Sequence, residues 1–250
     1  LTQPVSVPKF PLITDYRNEF VRKLENKEIF NGTLEILGAS FVANERAIFG
    51  SVSQVYLQRE IAWYLSESLK VSDLEGTPQI WKNIASADGL INSNYGYLLF
   101  SEGNHLQYAN VRDTLIANVN SRQAVAIYSR PTIHQDSIEN GMQDFICTNA
   151  VHYEIRDNKL HVIVQMRSND AVFGYKNDYS WQKYIQSLLI SDLIPTYPFL
   201  EAGDITWQVA SFHVYERHFY LVDHFAQTGE IKVSPSTYKG KYNVGVYGNK

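Results

Sequence analysis

The stretch DFICTNAVHYEIRDNKLHVIVQMRS, residues 144–168, contains two runs that alternate apolar and polar residues on either side of Asp157-Asn158. Alternation with period two marks strands that bury one face, and an Asp-Asn pair between them suits a two-residue hairpin turn. The stretch therefore predicts an antiparallel hairpin. Pairing Arg156 with Lys159 and stepping outward puts Cys147 opposite Ser168 and beside Arg167. A slip of one residue would change which side chains share a face. Cys147 is the only cysteine in the chain. A lone cysteine is commonly a small buried apolar group, but a neighbouring guanidinium favours the thiolate and makes it a candidate nucleophile.

Outward from the hairpin, residues 10–30 predict a helix with Phe20, Val21 and Leu24 at helical spacing, and residues 33–42 a strand interrupted at Gly38. Residues 54–70 predict a helix whose apolar stripe is Leu57, Ile61, Leu65 and Leu69, flanked by Glu60 and Tyr64. Residues 92–100, 121–131 and 149–157 read as strand-rich. Residues 178–193 predict a helix with Trp181, Tyr184, Leu188 and Leu189 on one side. Residues 205–229 predict a strand followed by a helix ending near Gly229. Strands and helices do not alternate regularly, so the class is α+β. With no repeat, low-complexity tract or linker, residues 1–250 are expected to form one domain.

Composition narrows the function. Hydrophobic content of 44% with 19% charged residues describes an ordinary globular chain. A net charge of −4 without a dense Lys/Arg run argues against direct nucleic-acid binding. One cysteine excludes an internal disulfide framework and fits a reducing compartment. Residues 1–12 lack the basic-then-apolar pattern of a signal peptide, and no apolar run approaches membrane-spanning length, so a cytoplasmic protein without a membrane partner is expected. His213, His218 and His224 have no accompanying carboxylate or cysteine ligands, so no metal is expected. Nor does the spacing of histidines around Cys147 suggest a thiol protease.

The segments CTNAVHYEIRDNKLHVIVQMRSNDAVFGYKNDYSWQ, INSNYGY and FHVYERHFYLVDH resemble the thymidylate synthase superfamily, and most closely its bacteriophage deoxycytidylate hydroxymethylase branch. The likeness runs in order from about residue 33 to residue 243. It implies an α+β fold with a large mixed sheet flanked by helices, a homodimer packed sheet to sheet, a pyrimidine nucleotide substrate and 5,10-methylenetetrahydrofolate as one-carbon donor. A phage relative would act in the cytoplasm of its bacterial host. By motif, Cys147 matches the nucleophile that adds to pyrimidine C6, which makes C5 able to attack the folate's methylene. Arg167 and Ser168 match the phosphate-binding pair. Glu60 matches the glutamate that organises water and proton transfers, and Tyr95 the tyrosine near the C5 proton. His213 and Tyr215 match the pair that binds the sugar hydroxyl. Asp170 matches the aspartate that contacts the pterin, and Trp81 an aromatic lining the cofactor site. Each residue also has a plain structural role open to it: Glu60 a solvated charge, Tyr95 packing, Asp170 a turn cap.

Asp178 decides the base. Thymidylate synthases carry asparagine there, whose amide donates to uracil O4 and accepts from N3–H. Cytosine reverses that pattern. A carboxyl group matches it, one oxygen accepting from the amino group and a protonated oxygen donating to N3, whereas an ionised carboxylate repels uracil O4. Asn177 is the adjacent alternative. The resemblance thus implies conversion of dCMP to 5-hydroxymethyl-dCMP by water, with Glu60 activating the water. Hydride in place of water would give 5-methyl-dCMP. A dUMP-specific member and a nucleotide binder without turnover are the remaining readings. Two departures stand out: where synthases reach the partner's phosphate with Arg-Arg, this chain has Arg122-Gln123, and the arginine near the first strand has no match, leaving Lys27 as a candidate. The tail at 244–250 does not resemble the synthase C-terminus.

Overall fold

A computed structural model describes residues 10–242. The hairpin forms: β3 (Thr148–Arg156) and β4 (Lys159–Asp170) run antiparallel, with Arg156 facing Lys159. Asp157 and Asn158 lie at φ 51° and 58°, the left-handed pair that a tight hairpin turn of this twist requires. The register holds outward to Ala150 and Gln165, then slips so that Thr148 faces Met166. Asn149 is the extra residue, and its carbonyl accepts from the N–H groups of Tyr128 and Ser129 at 2.9 and 3.2 Å. The bulge corrects the simple count: Cys147 is bonded to Arg167, whose N–H donates to the Cys147 carbonyl at 2.9 Å, and it does not lie opposite Ser168.

The sheet order is β1-β5-β4-β3-β2, with β1 Thr33–Val42, β2 Val125–Ile127 and β5 Glu201–Tyr215. Among the described strands only β4 and β5 pair in parallel, and parallel neighbours need a crossover, here the 20-residue α7 (Gly174–Leu193). One sheet face is core: Val151, Tyr153, Leu160, Val162, Val164, Trp207 and Val209 are buried against α7 and its neighbours. On α7 the buried row is Trp181, Gln182, Ile185, Gln186 and Leu189, whereas Tyr184 and Leu188 are half-buried. Gln186 tolerates full burial because its amide donates to the carbonyls of Leu160 and Gly203 at 2.8 and 3.0 Å. Alternate positions such as His152, Ile163, Gln165 and Gln208 are half-buried, and Leu37 and Ile127 are exposed. Gly38 takes φ +68° and drops out of the β1–β5 pairing without shifting its register.

The remaining helices pack beside the sheet: α1 (Ile13–Glu25), α2 (Gln54–Leu65), α3 (Gln79–Ile84), α4 (Tyr95–Phe100), α5 (Gln107–Ala117), α6 (Ile133–Asn140) and α8 (Phe219–Thr228), which ends at Gly229 as the sequence predicts. Two expectations fail here. The buried face of α2 is Leu57, Glu60, Trp63 and Tyr64, while Leu65 is 45% exposed, because the helix stops at Leu65 and is covered on its aromatic side. Residues 95–100 are helix, not strand. Asn94 caps α4, its side chain accepting from the Tyr97 N–H at 2.8 Å. Gly96 lets α4 meet α2: a Cβ there would lie 1.8 Å from the Tyr64 carbonyl oxygen.

Candidate active site

Cys147 sits just before β3, half-buried, with its Sγ 3.6 Å from Nη2 of Arg167. Burial pushes the thiol up to about 11, Arg167 pulls it back, and the charges of Asp178 and Asp144 push it further up. The guanidinium is fixed by the strand itself. Its Nε donates to the Ile146 carbonyl at 3.0 Å, Nη2 donates to the Phe145 carbonyl, and the Phe145 ring lies 4.8 Å below. Of the five N–H donors, the two on Nη1 are uncommitted among the described residues and can meet an anion. Ser168, next along, is half-buried with no hydrogen bond of its hydroxyl among the described residues.

Glu60 is 4% exposed on the inner face of α2. Burial raises its carboxyl to about 7, opposed by a hydrogen bond from the Tyr56 hydroxyl at 2.7 Å. Tyr56 in turn accepts from the Trp81 indole at 3.2 Å, so half-buried Trp81 on α3 is tied to Glu60 through one hydroxyl. A buried carboxyl titrating near neutrality suits a group that both gives and takes a proton.

Asp178, on the first turns of α7, accepts from Asn169 Nδ2 at 2.8 Å. Asn169 is buried on β4, and its carbonyl oxygen accepts from the Trp207 indole at 3.2 Å. Desolvation, reinforced by Glu60, raises the Asp178 carboxyl well above the ordinary aspartate range, and Asn169 only partly offsets this. Tyr95 is buried nearby, its ring stacked on Tyr64 at 5.5 Å and edge-on to Tyr128 at 5.1 Å. The Tyr95 hydroxyl accepts from Thr148 Oγ1 at 3.0 Å and keeps its own proton free. Its ionisation is opposed by burial and by the neighbouring Asp178 and Cys147. Thiol, guanidinium, two carboxyls and a phenol thus converge from β3, β4, α2, α7 and α4.

The other expected residues divide. His213 is buried on β5, with Nδ1 3.3 Å from the Ser211 carbonyl and the Tyr215 ring edge-on at 4.8 Å. Asp170 faces His213 across the β4–β5 pairing, but its carboxylate accepts from the N–H groups of Val172 and Phe173 at 2.9 and 3.2 Å, so it caps the turn into α7. Asn177 is half-buried with no side-chain hydrogen bond among the described residues. Arg122 is exposed and precedes β2, whose Val125 pairs with His152 and whose Ile127 pairs with Ala150. It therefore lies beyond the far end of the pairing from Cys147, roughly 20 Å at about 3.3 Å per strand residue, out of reach of the thiol in its own chain. Lys27 lines a groove of about 600 Å³ with Glu25, Glu216 and Asp223. Residues 244–250 lie outside the described residues. Beside Asp170, a cavity of about 430 Å³ is lined by Gly50, Phe173, Lys176, His218 and Lys232. Lys176 is lowered by burial to about 8, and the buried Nδ1 of His218 has no partner among the described residues.

Sequence reasoning missed Tyr56, Asn169 and Lys176. Tyr56 stands four residues before Glu60 on one helix, a spacing that places the two side chains together; Asn169 and Lys176 carried no such signal. Among the described residues no group of three or more His, Cys, Asp or Glu side chains is placed to hold a metal, and no helix is long and apolar enough to cross a membrane.

A family model described as thymidylate synthase matches residues 51–235. The chain is 52% identical over 213 residues to deoxycytidylate 5-hydroxymethyltransferase of Enterobacteria phage T4, covering 84% of this chain and 87% of that one. It is 51% identical over 214 residues to the protein of the same name from Enterobacteria phage T6, with the same coverage of each chain. Among solved structures, a thermostable thymidylate synthase A from Bacillus subtilis superposes with a TM-score of 0.64 at 22% identity, over 84% of this chain and 82% of that one, a likeness of fold.

Proposed function

The chain belongs to the thymidylate synthase family, and from that membership we propose that it is a deoxycytidylate 5-hydroxymethyltransferase, a transferase of one-carbon groups acting on dCMP. The observation that carries the base assignment is the half-buried Asp178 carboxyl, raised well above the ordinary range by desolvation and by the neighbouring Glu60. A neutral carboxyl can donate to cytosine N3 and accept from the amino group, and uracil offers the opposite pattern.

The residues supply the rest of the chemistry. Cys147, as thiolate, adds to C6 of the ring, forming a C–S bond and moving an electron pair towards C5. Arg167 favours that thiolate, and its free Nη1 donors, with Ser168, receive the 5′-phosphate. His213 and Tyr215 meet the sugar hydroxyl. Tyr95 keeps a free O–H near the thiol and serves the C5 proton. Glu60, poised near neutrality, orders water and takes the proton of the water that becomes the new hydroxyl. Loss of the thiolate from C6 then restores the aromatic ring.

When bound, 5,10-methylenetetrahydrofolate supplies the one-carbon unit. The residues suit such a molecule: Trp81 and the exposed Phe173 offer ring faces, Asp170 ends β4 just before Phe173, and the cavity lined by Phe173 presents Lys176, Lys232 and a His218 nitrogen unpartnered among the described residues to carboxylates. The half-exposed face of the sheet is where a second copy packs, and this copy brings Arg122 to the phosphate that it cannot reach in its own chain. The reading places one domain over the whole chain and the reaction in the bacterial cytoplasm, without metal, membrane or direct nucleic-acid contact.

The test offers equal dCMP and dUMP with methylenetetrahydrofolate and weighs the nucleotide products. Hydroxymethylated dCMP with unreacted dUMP is expected. Methylated dCMP would overturn the water step, a product from dUMP alone would overturn the role of Asp178, and no product would leave a binder.

A further inference from the structure

Glu60 forms no ion pair with Lys or Arg among the described residues, yet its carboxyl is held. The indole N–H of Trp81 can only donate, so the Tyr56 oxygen must accept from it. The hydroxyl proton of Tyr56 is then directed to Glu60 Oε1, 2.7 Å away. While Glu60 is charged the polarity of the chain is fixed from end to end, because a carboxylate only accepts and the Trp81 indole only donates. We propose that Tyr56 is a positioning residue that relays the Trp81 indole to Glu60, holding Oε1 as the acceptor of the charged form and directing the exchangeable proton of Glu60 to Oε2. The inference deepens the proposed function, since it rests on Glu60 as the proton-handling group.

The groups facing Glu60 are few. On its own helix stand Tyr56 and Tyr64, and from α7 Asp178, whose ionisation a charged Glu60 opposes. Tyr56 is therefore the one donor to the charged form among the described residues, and its own ionisation is pushed far up by burial and by Glu60, so it stays a donor throughout the working range. Trp81, the aromatic assigned to the co-substrate side, thereby touches the proton state of Glu60 without touching Glu60. Ring movement of Trp81 would be felt by the carboxyl through a single hydroxyl.

The experiment titrates the Glu60 carboxyl by infrared difference spectroscopy on the full chain without ligand, with Glu60→Gln identifying the band, and compares wild type with Tyr56→Phe and Trp81→Phe. The same proteins are assayed for kcat and KM against pH with dCMP and methylenetetrahydrofolate. Loss of the hydroxyl is expected to raise the Glu60 titration and to move the acid limb of kcat upward by the same amount, with about a tenfold loss of kcat below neutrality. The KM for dCMP is expected to stay within about threefold. Trp81→Phe should shift the titration in the same direction by less, and decides the matter if Tyr56→Phe does not fold. A folded Tyr56→Phe with an unmoved Glu60 titration overturns the proposal. Absence of turnover in the wild type would overturn the proposed function instead, with the spectroscopic titration still deciding the role of Tyr56.

Discussion

Asn169 donates its side-chain amide to Oδ2 of Asp178 across 2.8 Å, and the orientation of that amide is not free. The Trp207 indole, a donor only, holds the opposite end of the Asn169 side chain at 3.2 Å, so the amide nitrogen must face the carboxyl. The α7 carboxyl proposed to read the base is thus aimed by β4 and β5, and Oδ1 is the oxygen left free, among the described residues, to carry a proton.

Asp178→Asn should invert the base preference. The amide presents the pattern uracil needs, so kcat/KM for dCMP is expected to fall by about 100-fold or more while turnover of dUMP appears. Product masses from a mixture of the two nucleotides check this. Retained preference for dCMP would remove Asp178 from base selection.

Asn169→Ala should blunt the preference without inverting it. Losing one hydrogen bond to the carboxyl, about 1–3 kcal/mol, should cost roughly five- to 150-fold in discrimination between dCMP and dUMP. The ratio of kcat/KM values for the two nucleotides is the measurement.

Arg167→Gln should slow alkylation of Cys147. The guanidinium is the one group pulling the thiol down, so its removal raises the thiol further and lowers the thiolate fraction at a given pH. The chain holds a single cysteine, so iodoacetamide incorporation followed by mass reads that site alone. At fixed pH the rate is expected to fall about tenfold.

Glu60→Gln should stabilise the protein in alkali. Glu60 rises from an ordinary 4.5 to about 7 on folding, so the folded state holds the proton more tightly than the unfolded one. Its favourable contribution is complete below about 4.5 and is lost as pH rises through about 7. The substitution removes that loss, up to about 3 kcal/mol at about pH 8, and leaves little difference near pH 4.5. Urea unfolding at the two pH values decides it.

Gly96→Ala should destabilise the fold by about 1–3 kcal/mol or more, because α4 and α2 must separate to admit the methyl group. Tyr95, the next residue, would move with α4. Thermal unfolding and kcat should therefore fall together, whereas an unchanged melting temperature would contradict the close approach.

Some of this was legible because it is local. Alternation through residues 149–165 gives strands, and Asp157-Asn158 gives their turn. Helical spacing locates α1, α2, α7 and α8. Misreadings arose where a single residue governs the backbone. Asn94 caps a helix in a segment rich in apolar and aromatic residues that reads as strand, and Asn149 bulges β3. The stripe assigned to α2 failed because its helix ends before Leu69, and because the aromatic side, Trp63 and Tyr64, is the side that α4 and α7 cover.

The sequence by itself determined the α+β class, the hairpin and the ordered set of residues that marks the family, since each follows from short-range periodicity or from identity in order, while the bulge at Asn149 set the thiol directly against the guanidinium. Only the tertiary structure decided the charge states and the aim of these groups. Burial that brings Glu60, Asp178 and Cys147 out of water is made by elements far apart in the chain, and desolvation raises each of them where their composition says nothing. The partners that orient them, Tyr56 with Trp81 and Asn169 with Trp207, meet across 25 and 38 residues of sequence. Hydrogen bonds of that range are set by packing, and no local pattern encodes them.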